Sequence, residues 1–83
     1  MNSCAIHFPG YDAHAERGPI RWELFLDWNI RDVLPTERGD TLQIIFNGAP
    51  APDGWTRLLT AAGFPEPSFD PVVPDPTGEP LAA

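Results

Sequence analysis

Ile20-Arg21-Trp22-Glu23-Leu24-Phe25-Leu26-Asp27-Trp28 is the stretch whose reading decides the fold. Successive side chains of a strand point to opposite faces. With that period, Ile20, Trp22, Leu24, Leu26 and Trp28 share one face, while Arg21, Glu23, Phe25 and Asp27 share the other. Large apolar groups in register make one wall of a core, whereas a helix would scatter them around its circumference. The stretch therefore reads as the central strand of a sheet, with its charged face turned toward water or a partner.

Two further strands flank it. Ser3 to Phe8 alternates, with Cys4, Ile6 and Phe8 on one side, until Pro9-Gly10 stops it. Thr41 to Asn47 places Leu42, Ile44 and Phe46 on one face and Thr41, Gln43, Ile45 and Asn47 on the other. Glu37-Arg38-Gly39-Asp40 reads as a hairpin tip, with Gly39 free to take a positive φ. Ile30 to Leu34 fits either an extension of the central strand past a bend at Asn29 or a loose helical turn. One helix is expected from Asp53, whose carboxylate suits the free amides of a first turn. Trp55, Leu58, Leu59 and Ala62 form its apolar stripe, and Gly63-Phe64-Pro65 ends it.

The character changes at Pro65. Proline recurs at 65, 67, 71, 74, 76 and 80, and the only charged groups are Glu66, Asp70, Asp75 and Glu79. Such a segment favours extended, polyproline-like backbone. The expected architecture is a small α+β domain over 1–64: a three-stranded, mainly antiparallel sheet with one short helix packed on one face. A proline-rich acidic C-terminal segment, 65–83, follows, partly packed or disordered.

Charge restricts the partners. Twelve acidic residues against five arginines and no lysine give a net charge of −7. Phosphate backbones and anionic membrane surfaces demand a positive stripe, so neither direct nucleic-acid nor membrane binding is expected. A protein with a basic or mixed surface is the natural complement. A single cysteine makes no internal disulfide. No signal peptide or membrane-spanning run is visible, so a cytoplasmic location is expected.

Catalytic signals are thin. Cys4, His7, Asp12 and His14 are zinc-ligand types, but their spacing matches no paired site, and Cys4 and His7 diverge across a strand. Glu23 and Asp27 share a strand face at about 13 Å, too far for the usual paired-carboxylate chemistry. Neither serine sits in a nucleophile elbow, and there is no glycine-rich phosphate loop. No enzyme, metal or cofactor is expected.

What remains is a surface. Phe25 and Ile45 are read as apolar centres on the outer sheet face, rimmed by Arg21, Glu23 and Asp27, and together these are the expected partner-binding residues. The expected function is a small acidic non-enzymatic protein-binding module, an inhibitor or accessory subunit docking on a larger protein. One alternative is an acidic nucleic-acid mimic that blocks a basic site. Small inhibitors from phages and mobile elements, including anti-CRISPR and anti-restriction proteins, work in that way, and the likeness is one of size and charge. The other alternative is a small enzyme or metal protein using Cys4, His7 and His14.

Overall fold

The computed structural model describes residues 1–74; the distal part of the expected acidic segment, 75–83, lies outside the described residues. The elements run β1 (Asn2–His7), α1 (Arg17–Leu24), β2 (Ile30–Pro35), β3 (Thr41–Phe46), α2 (Pro52–Ala61), β4 (Ser68–Phe69) and β5 (Val73–Pro74). The sheet is antiparallel with order β2-β3-β1-β4, and β5 also pairs with β1. The α+β class holds, but the element count does not: among the described residues there are two helices, and beyond the three longer strands the sheet gains the two-residue β4 and β5.

The main correction concerns Ile20–Trp28. It is not a strand. Residues 17–24 form α1, and 25–29 turn away from it. Ile20 and Leu24 are both fully buried, and four residues apart they share a helix face as well as a strand face. Trp22 lies about 200° around the helix from Ile20, and it points to solvent. Composition agrees: Arg, Glu and Leu are good helix formers, and only Ile20 in the stretch is β-branched. Pro19 falls in the first turn, where its missing N–H leaves no intrahelical bond unmade.

The strand that follows this segment is β2, an edge strand that pairs along β3 with a bulge between Ile30 and Asp32; the centre of the sheet is held by β3 and β1. Leu42, Ile44 and Phe46 of β3 face the same side as Cys4 and Ile6 of β1, and all five are buried. Ile30 and Val33 extend this floor, Ile20 and Leu24 of α1 cover one part of it, and Trp55 and Leu59 of α2 cover another. Trp55 meets the Phe46 ring edge-on at 5.2 Å and the Phe69 ring, tilted, at 5.9 Å. Phe69 thus belongs to the core face, brought there by pairing of β4 with Ile6 and His7.

α2 starts at Pro52 after an Ala51 cap that makes no side-chain bond, so Asp53 is a first-turn charge and not the cap. Its end is as expected. Gly63 takes φ 96°, the Phe64 amide donates to the Leu59 carbonyl at 3.0 Å, and the Gly63 amide donates to that of Thr60 at 3.1 Å. This doubly bonded, left-handed stop is the Schellman arrangement. The apolar stripe divides: Trp55 and Leu59 are buried, Leu58 is half-buried and faces α1, and Ala62 is exposed. Gly39, at the tip between β2 and β3, needs no positive φ.

Candidate functional site

Three kinds of surface are available to a partner: the strand edges, the open sheet face and the helical face. The edges are poor templates for a further strand. On β2 the Val33 amide donates to Asp32 Oδ1 at 2.8 Å, and the Val33 carbonyl accepts from Arg17 at 3.0 Å. Pro35 and the bulge further interrupt that strand. On the other side β4 and β5 have two residues each. Bulges, prolines and short edge strands are the usual ways by which sheets discourage added strands.

The open sheet face carries Ser3, Ala5 and His7 of β1 with Thr41, Gln43 and Ile45 of β3. Ile45 sits here, half-buried, opposite Ser3 and in line with exposed Val73. At one end His7 Nε2 lies 2.9 Å from Asp70 Oδ1, and His7 Nδ1 lies 2.8 Å from Thr41 Oγ1. A carboxylate, an imidazole and a hydroxyl in sequence resemble a nucleophilic relay in outline. However, Thr41 is buried and its hydroxyl donates to Asp40 Oδ1 at 2.9 Å. The group is a clasp that ties β4 to β1 and β3, and it presents no hydroxyl to a substrate. That bond is also the main cause that holds the Asp40 carboxyl below its ordinary range.

The remaining members of the Cys/His segment separate. Cys4 is buried on the core side, and burial, reinforced by the Asp70 charge, pushes its thiol upward from the ordinary value. His14 Nε2 accepts from the Thr36 amide at 3.3 Å. Among the described residues no cluster of three potential metal ligands occurs.

The helical face is different in kind. An open cleft of about 670 Å³ runs between the C-terminal end of α1 and the length of α2. Glu23, Leu26 and Asp27 form one wall, and Gly54, Leu58, Ala61 and Ala62 help form the other, with Arg57 on the same side. A smaller recess bounded by Trp22, Phe25 and Leu26 adjoins it, so Leu26 is the ridge common to both. Trp22 is 74% exposed, Leu26 64% and Trp28 93%. Single apolar groups on a surface are ordinary, but Trp22 and Leu26 exposed together around a recess that adjoins a cleft are not; Trp28 is exposed in the turn that follows.

Asp27 builds this shape. As the chain leaves α1, the Asp27 carboxylate accepts the Asn29 amide at 2.9 Å through Oδ1 and the Trp55 indole N–H at 2.7 Å through Oδ2. One side chain thus fixes the turn that presents Leu26 and Trp28 and ties it to α2. Arg21 is engaged internally as well. Its Nε donates to Asp32 Oδ1 at 2.9 Å, and its guanidinium lies 4.5 Å from the centre of the Phe25 ring. The bond from Arg21 is the largest cause of the lowered pKa of Asp32.

The five expected contact residues are therefore divided. Glu23, Phe25 and Asp27 come together around Leu26, and Arg21 adjoins Phe25. Ile45 alternates with buried Ile44 and Phe46 and so lies across the sheet from them. Phe25 does not share an outer sheet face with Ile45, because its segment is helical. Trp22, Leu26 and Trp28 were assigned to the core on period two, and a helical wheel over 17–24 is the signal that would have turned Trp22 outward.

Among the described residues, no helix is long and apolar enough to cross a membrane. The chain matches no protein-family profile and no curated protein sequence.

Proposed function

We propose that this is a non-enzymatic protein-binding module, an inhibitor or accessory subunit that acts in the cytoplasm by docking its helical face on a larger protein. The observation that carries the reading is the exposure of Trp22 and Leu26 at the α1–α2 cleft and its adjoining recess, and of Trp28 in the turn that follows, in a chain that buries Phe8, Phe46 and Trp55 completely or nearly so. Leaving such area in water forgoes roughly 25 cal/mol per Å², and contact hot spots are enriched in tryptophan at the centre of a polar rim. Glu23, Asp27 and Arg57 supply the rim here. Capture from the native host with immobilised wild-type chain, beside a Trp22→Ala/Trp28→Ala variant, tests it. The expected result is a protein, identified by mass spectrometry, that the wild type retains and the variant loses while its circular dichroism is unchanged. A protein retained equally by both would place the contact elsewhere.

A second reading, mimicry of nucleic acid, draws support from charge. Arg17, Arg21 and Arg38 are each committed to internal partners, whereas Glu37, Asp53 and Glu66 stand exposed. A mimic spreads its affinity over carboxylates and loses it steeply as salt rises. A hydrophobic dock does not.

A further inference from the structure

We infer that the occupant of the α1–α2 cleft is an amphipathic helix of the partner, apolar on the side that enters the cleft and basic on the side that faces α1. This rests on the docking reading above and adds the class of ligand.

The helical form follows from hydrogen bonding. An extended segment gains its affinity by pairing its backbone with a free strand edge, and the cleft walls are α2 and the end of α1 with the turn after it, where the Leu26 and Asp27 amides already donate to the Glu23 and Leu24 carbonyls. A strand laid here would bury unmatched N–H and C=O groups. A helix arrives with its backbone already satisfied and needs only side-chain contact. The α2 wall suits it: Gly54, Leu58, Ala61 and Ala62 follow helical spacing, cover about 12 Å of axis, and are small except for Leu58. Small residues allow two helices to approach closely, and a third helix beside α1 and α2 would extend the layer that already covers the sheet.

The basic flank follows from charge. The α1 wall ends in Glu23 and Asp27, at the negative end of the helix dipole. Arg21, the one cation in the last turn of α1, is committed to Asp32. Glu23 has no ion-pair or hydrogen-bond partner among the described residues, and Asp53 is exposed in the first turn of α2. Arg57 is the one cation lining the cleft, and it stands on the α2 side. A partner helix therefore meets negative potential along α1 and a single positive charge opposite.

The test uses the full chain against a displayed library of 18-residue helical peptides. Their leucine stripe is fixed at i, i+3, i+4 and i+7 spacing, and their flanking positions are randomised among Lys, Arg, Glu, Gln and Ser. The expected result is enrichment of Lys and Arg on one flank. Binding of the selected peptides should be lost in Leu26→Asp and weakened about tenfold in Glu23→Lys, consistent with reversal of a rim charge. Both positions are accessible enough that thermal melts of the variants should match the wild type. Enrichment of acidic or neutral flanks, or binding that survives Leu26→Asp, overturns the inference. So does the absence of any enriched peptide. If that absence accompanies a wild-type dimer in sedimentation that Leu26→Asp dissociates, a second copy occupies the cleft. A host protein that still depends on Trp22 and Trp28 would in any of these cases leave the docking reading standing with a different ligand class.

Discussion

Trp55 and Trp28 are the same residue type placed to opposite ends. Trp55 is 1% exposed, packs against Phe46 and Phe69, and donates its indole proton to Asp27. Trp28 is 93% exposed, in the middle of the turn that the Asp27–Asn29 bond holds. One ring supports the fold and the other is available to something outside it. The two are coupled through a single carboxylate, which teaches that the exposed turn is presented by the core and is not a loose appendage to it.

The contrast can be broken most severely at Trp55. Trp55→Ala is expected to cost about 3 to 5 kcal/mol in a denaturant melt, enough to unfold a domain of marginal stability. A cost near zero would mean that α2 does not seal the core. Trp28→Ala should do the reverse, leaving the melt within about 0.5 kcal/mol and weakening the captured partner by about 2 kcal/mol or more in calorimetry. Asp27→Ala sharpens the link between them. It removes the acceptor of the Trp55 proton, and a loss of about 1 to 2 kcal/mol in stability is expected, together with weaker binding through a loosened turn. Stability loss with unchanged partner affinity would show that the turn holds its shape without Asp27.

The smallest expected effect is on acid stability. Arg21 and the Val33 amide hold the Asp32 carboxyl below its ordinary 3.8. Because the folded state lowers that pKa, the stabilisation is fully present above 3.8 and is lost as pH falls through the lower, folded value. Urea midpoints followed from pH 5 downward should therefore fall less steeply in Asp32→Asn than in the wild type. Asp32 is half-exposed, so solvent screening keeps the difference small. Identical slopes would remove Asp32 from the account of acid sensitivity.

Much of the sheet was legible because β1 and β3 have one buried face and one face in contact with water, and that alternation is written directly into Cys4-Ala5-Ile6 and Leu42-Gln43-Ile44. The end of α2 was legible because Gly63 is one of few residue types that take φ 96° freely. The segment 20–28 misled for a specific reason. Ile20 and Leu24 satisfy periods of two and of 3.6 alike, so the choice fell to Trp22, Leu26 and Trp28. Those residues are apolar yet lie at the surface. A rule that sends apolar groups inside cannot read apolar groups that the fold leaves at the surface, and the proposed site consists of such groups. Pro19 and the run of unbranched side chains after it carried the contrary signal.

β1 stands at the middle of the sheet although it is first along the chain, with β3 on one side and β4 and β5 on the other. Its hydrogen-bonding partners lie roughly 40 to 70 positions downstream, as in Ile6 with Leu42 and Phe69. During synthesis on a ribosome, β1 therefore emerges with both edges bare and waits until residues 68–74 are made before its second edge closes. Contacts so distant in sequence slow folding, and an apolar strand left waiting is open to mispairing with other nascent chains. The short β4 and β5 segments, slight as they look, are the last of the described strands to arrive and the ones that end that exposure.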